Sequence, residues 1–293
     1  MISAEIQREM EKHYLHRKIK NWFMCFLLAL CAVLALLPLF SVFTHILVNG
    51  FPALNFDFFT RLPKPVGEVG GGMANSLLGT LTLIGLASAI GIPWGILTGL
   101  YLSEFGSQQK IGTLVRFSAD MLSSIPSIII GLFIYTVVVV PMGHFSALAG
   151  GLALAIIMIP IIARSVEELL KLVPTHIREA GLALGLPRWK VTLRIVLGGS
   201  IKAILTGIML SVARVAGETA PLLFTAFGNQ FWQSQLTDPI ASLPVQIYNY
   251  AISPFDDWHQ KAWAGALTLV CLVFALNITT RLLVAPNRRM KKS

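Results

Sequence analysis

The chain has 293 residues, of which 55% are hydrophobic and only 13% charged, and its mean hydropathy is +0.72. Soluble domains carry about 25% charged residues, so this composition excludes an ordinary soluble domain. The 23 Lys and Arg against 14 Asp and Glu give +9, but these charges lie between apolar blocks and form no face for a nucleic acid. An integral membrane protein is expected.

A helix crosses about 30 Å of hydrocarbon with roughly 20 apolar residues, and six stretches qualify. The first, Trp22–Val48, has an apolar core too long for a cleavable signal peptide. Span two, Ser76–Leu102, carries Ala87, Gly91, Gly95 and Gly99 on one face, a spacing that lets helix backbones approach closely; Pro93 is expected to bend it. Span three, Phe117–Val140, holds Asp120 and the run Ser123-Ser124-Ile125-Pro126-Ser127. Hydroxyls there can satisfy the carbonyl that the proline frees, and a structural role outweighs a substrate role. Span four is Leu148–Ala163. Span five, Ile201–Phe227, contains Arg214 and Glu218, and span six is Ala262–Val284.

Basic residues fix the orientation. With both termini cytoplasmic, the inside segments hold Arg8, Lys12, Arg17, Lys18, Lys20, Lys110, Arg116, the basic residues from Arg164 to Lys202, and Arg281, Arg288, Arg289, Lys291 and Lys292. The outside loops then hold only Arg61, Lys64 and Lys261. Outside loop Asn49–Asn75, with its prolines and Gly70-Gly71-Gly72, reads as an irregular connection. In loop Gly228–Gln260 the aromatics Trp232, Tyr248, Tyr250 and Trp258 fit an interfacial belt or a contact with an external protein. Cys25, Cys31 and Cys271 lie inside the spans with no ligand spacing, so neither a disulfide framework nor a metal site is expected.

Between spans four and five, two short helices are expected: one broken by Pro174, and one capped by Thr175, starting near His176 and stopping at Gly185. Ala180, Ala183 and Leu184 give the second an apolar stripe suited to a groove of another protein. The sequence Glu179-Ala180-Gly181, then Gly185, then Ile195-x-Leu197 resembles the EAA loop of permease subunits of bacterial ABC importers. It departs from the usual pattern at Gly181, where alanine is common, and at Gly198, where proline is common. The run Ser211 to Ala226, with Arg164, Glu167 and Leu172-Val173-Pro174 upstream, is similar to permeases of phosphate-specific importers, to the PstA-type half rather than the PstC-type half.

That resemblance implies an all-α integral membrane protein with six transmembrane helices, the MetI-like fold of type I ABC importer permeases, and both termini cytoplasmic. Residues 1–71 then hold the N-terminus, first span and first periplasmic loop. Residues 72–284 form the importer core with its coupling loop at 164–200, and 285–293 a basic cytoplasmic tail. It implies a bacterial inner-membrane location and three partners: an ATPase subunit dimer (PstB-like), a second permease (PstC-like) and a periplasmic phosphate-binding protein (PstS-like). The chain itself would bind no cofactor, ATP-Mg being used by the ATPase, to which Glu179, Ala180, Gly181 and Gly185 couple.

The residues point independently toward an anion path. Arg214 lies about 20 Å along a helix that starts at Ile201, too deep to snorkel to either end. Glu218 follows one turn later and can pair with it. Either the two form a packing bridge, or Arg214 lines the path and offers a fork to a tetrahedral oxyanion, with Glu218 limiting how tightly the anion is held and Ser211, Thr219 and Thr225 adding hydroxyls. Arg164 and Glu167 fit a positive-inside anchor with a surface ion pair, or an exit gate. No Gly-x-x-x-x-Gly-Lys-Ser/Thr run occurs, so the chain is not expected to hydrolyse ATP. The alternatives are the same machine carrying molybdate, sulfate or a phosphonate, and an ATP-independent anion carrier. An intramembrane enzyme lacks any nucleophile–base or metal cluster.

Overall fold

The computed structural model describes residues 4–65, 68, 70–106 and 109–284, with the backbone alone at 4–12, 283 and 284. Expectations placed on the side chains of Arg8 and Lys12 and on the tail 285–293 lie outside the described residues. The helices are α1 (Ala4–Gly50), α2 (Phe56–Thr60), α3 (Ala74–Glu104), α4 (Lys110–Ser124), α5 (Ser127–Met142), α6 (Ala147–Lys171), α7 (Thr175–Ala183), α8 (Arg188–Ala216), α9 (Ala220–Thr225), α10 (Leu243–Ala251) and α11 (Asp256–Val284). Among the described residues five of them are long and apolar enough to cross a membrane, and the α4–α5 pair makes a sixth span if counted as one.

The centre is α3 packed along α6. A Cβ at Gly95 would lie 2.7 Å from the Ile162 Cβ, and one at Gly99 2.5 Å from the Ala163 carbonyl oxygen. The stripe of small residues is therefore what lets these backbones touch, and the buried core of Leu83, Ala87, Leu154, Met158, Ile162 and Val166 grows around that seam. Helix α1 is different: every residue from 13 to 43 is exposed. It meets the rest near its outer end, where the His45 and Trp263 rings pack edge to face at 4.9 Å. So apolar a surface needs lipid or protein around it.

Four expectations about the helices are corrected. Span three is broken: α4 and α5 meet at 101°, because Pro126 has no N–H to donate and its ring forces the preceding residue out of the helical region; Ile125 is extended at φ −70, ψ 131. Span five ends at Ala216, where Gly217 closes the helix, and Ala220–Thr225 is a separate short helix with Pro221 in its first turn. The stretch from Arg164 to Lys171 is no separate helix but the C-terminal end of α6. Thr175 is not a cap either: Pro174 holds the cap position and no side chain caps α7.

The outer loops form a second small core. Phe58 of α2 packs with Met73, Leu243, Tyr250, Ala262 and Ala264. Tyr250 is buried and stacks on the half-buried Trp258 at 4.6 Å, while Tyr248 and Trp232 stay exposed.

Candidate functional site

Both helix breaks open on the same place. Arg214 sits in the last turn of α8, not midway along a span, and its side chain is 58% exposed. It lines a cavity of about 250 Å³ together with Leu122, Ser123, Ser124, Ile125, Pro126 and Ser127 of the α4–α5 break and Ile130, Ile157 and Ile161. The breaks are held together by Gly131 of α5 against Pro221 of α9: a Cβ on Gly131 would lie 2.6 Å from the Pro221 Cα. Ser127 is the first residue of α5, so that helix turns its N-terminal, partially positive end to the cavity. Discontinuous helices whose N-termini face anionic groups are a common membrane binding device.

Glu218 approaches Arg214 only loosely, Oε1 to Nε 3.9 Å, with the carboxylate 17% exposed. At that separation the carboxylate lowers the local potential without occupying the guanidinium's hydrogen-bond donors. The other expected path residues lie elsewhere. Ser211 is fully buried, its hydroxyl without a partner. Thr225 is buried and donates to the Pro221 carbonyl at 2.8 Å. Thr219 precedes α9 half-buried, outside the cavity lining. The hydroxyls beside Arg214 belong instead to Ser123, Ser124 and Ser127, whose run the sequence had marked as structural; Ser124 also donates to the Asp120 carbonyl at 2.8 Å.

Arg164 and Glu167 build something tighter. Arg164 makes a fork to Asp120, Nε to Oδ1 2.9 Å and Nη2 to Oδ2 2.8 Å, and reaches Glu167 with Nη1 at 3.0 Å. Glu167 is fully buried and accepts also from Arg116 Nε and Lys171 Nζ, both at 2.6 Å. It is thus no surface pair: one buried carboxylate gathers three cations from α4 and α6. Arg116 further donates to the Leu102 carbonyl at 2.9 Å and the Gly106 carbonyl at 3.3 Å, which ties the end of α3 to the cluster. Arg116, Asp120 and Lys171 were missed as members. Their signal was spacing: Arg116 and Asp120 share a face of α4 at i,i+4, as Arg164, Glu167 and Lys171 do along α6.

A second fork joins α7 to this cluster's neighbourhood. Arg178 Nη2 donates to Glu104 Oε1 at 2.8 Å and to the Leu170 carbonyl at 2.8 Å, and Nη1 to the Val173 carbonyl. Glu104 ends α3 and Leu170 lies near the end of α6. From α7 a path therefore runs from Arg178 to Glu104 at the end of α3, from the Leu102 and Gly106 carbonyls there to Arg116, and on through Glu167 and Arg164 to Asp120 on the helix that ends at the Pro126 break. On α7 itself, Glu179, Ala180, Ala183 and Leu184 are exposed, and Leu184 is 81% exposed. Gly181 faces inward, where a Cβ would meet Ile195 Cδ1 at 2.8 Å and Val191 Cγ2 at 3.0 Å. Val191–Leu197 is a π-helical turn, and Gly185 at φ +78 takes the left-handed conformation that closes α7. The spacing from Gly181 to Ile195 is thus a contact.

The family model described as "binding-protein-dependent transport system inner membrane component" matches residues 91–290. The phosphate transport system permease protein PstA of Yersinia pestis is 43% identical over 285 residues, covering 97% of both chains. That of Haemophilus influenzae is 45% identical over 266 residues, 91% of this chain and 94% of its own. A probable PstA of Methanocaldococcus jannaschii is 38% identical over 92% of this chain and 95% of its own. Among solved structures, a chain of a bacterial alginate ABC transporter superposes with a TM-score of 0.65 at 15% identity, covering 94% of this chain and 98% of that one. A chain of the MetNI methionine ABC transporter gives 0.58 at 21% identity, covering 72% and 91%.

Proposed function

This chain belongs to the family of binding-protein-dependent transport system inner membrane components, among its phosphate transport permeases, and from that premise we propose how it moves inorganic phosphate. It is a multi-pass permease subunit of an ABC importer. Both termini and α7 lie on the cytoplasmic side of the inner membrane, a placement that the distribution of basic residues supports. A second permease (PstC-like) faces α8 and the α4–α5 break and completes the path. An ATPase dimer (PstB-like) seats the exposed Ala180–Leu184 face of α7, with Glu179 at its edge, and a periplasmic binding protein (PstS-like) delivers phosphate to the outer loops.

In the path Arg214 presents its planar fork to two phosphate oxygens. Ser123, Ser124 and Ser127 offer hydroxyls, and the N-terminal end of α5 adds its partial positive charge. Ile130, Ile157 and Ile161 make the rest of the cavity apolar, which strengthens the ionic contact. Glu218, near but not bonded, keeps the cation from becoming a trap, so the anion can leave. When ATP closes the ATPase dimer, α7 moves. Arg178 then carries the motion to the ends of α3 and α6, and the buried Glu167 cluster carries it to Asp120, one turn before the Pro126 break. Alternating access then needs only rocking of packed helices about that break.

The observation that carries this reading is the end-to-end match to phosphate permeases, 43% over 97% of both chains. The test is phosphate uptake by cells that depend on this importer. Arg214→Gln is expected to abolish uptake while membrane insertion and co-purification with the ATPase persist, and unlabelled phosphate should compete better than sulfate or molybdate in the parent protein. Normal uptake by the variant would remove Arg214 from the path; equal competition by the other oxyanions would overturn the cargo.

A further inference from the structure

The cleft between α8 and α11 on the side of Lys202 and Arg281 takes no part in the transport scheme above. It has a volume of about 150 Å³ and is lined by Lys202, Thr206 and Met209 from α8 and Asn277, Thr280 and Arg281 from α11. Its neutral side chains are tied back to their own helices. Thr206 donates to the Lys202 carbonyl at 3.2 Å, Asn277 Nδ2 to the Val273 carbonyl at 2.9 Å, and Thr280 to the Leu276 carbonyl at 3.0 Å. Besides the second Asn277 N–H, the donors facing the cleft are the Lys202 ammonium and the Arg281 guanidinium. No acid lines the cleft, and among the described residues neither cation has an ion-pair partner; Glu168 lies along the adjoining groove, which shares Thr206. Two like charges around one partly dry cavity repel, and an anion between them would reverse the sign of that interaction.

The surroundings say which anion. Phe274, Ile278 and Leu282 are exposed at four-residue spacing on α11, beside Asn277 and Arg281, and form an apolar strip leading away from the cleft. The sequence just beyond α11 carries Arg288, Arg289, Lys291 and Lys292, the kind of basic run next to a span that attracts anionic lipid. Lys202 is also twelve residues from Arg214, about 18 Å along α8, so the cleft is separate from the phosphate cavity. We propose that it is a binding site for the phosphate headgroup of an anionic phospholipid of the cytoplasmic leaflet, with Lys202 and Arg281 as counter-ions and an acyl chain along Phe274, Ile278 and Leu282. Free phosphate has the same chemistry at its oxygens but no use for the apolar strip.

The test is lipid retention by the full chain, extracted with its co-purifying subunits and exchanged into mixed micelles of phosphatidylglycerol and phosphatidylcholine, read by native mass spectrometry. Phosphatidylglycerol should be retained over phosphatidylcholine. Lys202→Gln and Arg281→Gln should each weaken its retention about five-fold, the loss expected per basic residue at a membrane surface, while Lys202→Arg and Arg281→Lys keep it. Inorganic phosphate at millimolar concentration should not displace the lipid. Equal retention of the two lipids, unchanged retention in the Gln variants, or displacement by inorganic phosphate would each overturn the proposal, the last by making the anion free phosphate. The charge-conserving variants keep the test readable should either Gln variant not fold.

Discussion

Two Arg–Glu pairs that look alike in the sequence have opposite fates in the fold. Arg164 and Glu167 stand three residues apart, Arg214 and Glu218 four. The first pair sits inside a knot: its carboxylate is fully buried and gathers Arg116, Arg164 and Lys171, and its arginine forks onto Asp120. The second is a loose pair, 3.9 Å apart, with the guanidinium mostly in the open and beside a cavity. The difference teaches what each is fit for. A cation whose three nitrogens are each bonded to a carboxylate can transmit force but is poorly placed to bind a passing anion. A cation left with its fork free can bind, and a carboxylate near it but not bonded to it sets how firmly.

Glu167→Ala breaks this comparison hardest. Removing one partner of a buried ionic cluster typically costs about 3–5 kcal/mol, and here three cations would be left around an empty site. The expected outcome is a steep fall in folded yield from the membrane and a markedly lower unfolding midpoint, with uptake lost in consequence. Arg164→Lys keeps the charge but gives up the fork onto the half-exposed Asp120, so a loss of up to about 1 kcal/mol is expected, and uptake should fall further than yield if the cluster carries motion to the Pro126 break. A melting-point series over both variants, paired with uptake per folded molecule, separates stability from coupling. Arg214→Gln should lie at the opposite pole. Exposed substitutions away from packed features usually stay within about 0.5 kcal/mol, so its unfolding midpoint should match the parent while phosphate uptake vanishes. A large loss of stability there would mean that Arg214 is a packing residue and the two pairs are the same kind of thing.

Much of this was legible before the fold was known, and the residues show where legibility stopped. Gly91, Gly95 and Gly99 announced the α3–α6 seam because helical period and residue size are local properties. Glu179 to Gly185 announced α7 for the same reason. The breaks at Pro126 and Gly217 were hidden because long apolar stretches on both sides outweigh the few polar residues between them, and hydropathy records composition, not the direction of an axis. Ser211 and Thr225 were placed beside Arg214 by counting along one helix. Their burial, and the arrival of Ser123, Ser124 and Ser127 in their stead, depends on α4 and α5 packing from a distance in sequence. Likewise Glu167 read as half of a surface pair, since the partners that bury it stand 51 residues away at Arg116 and, through Arg164, 44 residues away at Asp120.

The finest test of the comparison is Glu218→Gln, which alters only the loose pair. An exposed pair contributes about 0–1 kcal/mol, and at 3.9 Å with no hydrogen bond this one belongs at the bottom of that range, so folded yield and unfolding midpoint should not move. Its effect should fall on transport alone. Without the carboxylate the potential at Arg214 is more positive, so phosphate should be held more tightly: half-saturation of uptake at a lower concentration, but a lower maximal rate because release is slowed. A carboxylate that instead oriented the guanidinium for binding would give the reverse, a higher half-saturation concentration when it is replaced. Salt discriminates further. The coupling crosses a partly solvated gap, so raising ionic strength should shrink the difference between parent and variant, whereas the effect of Glu167→Ala, whose carboxylate is fully buried, should change little with salt.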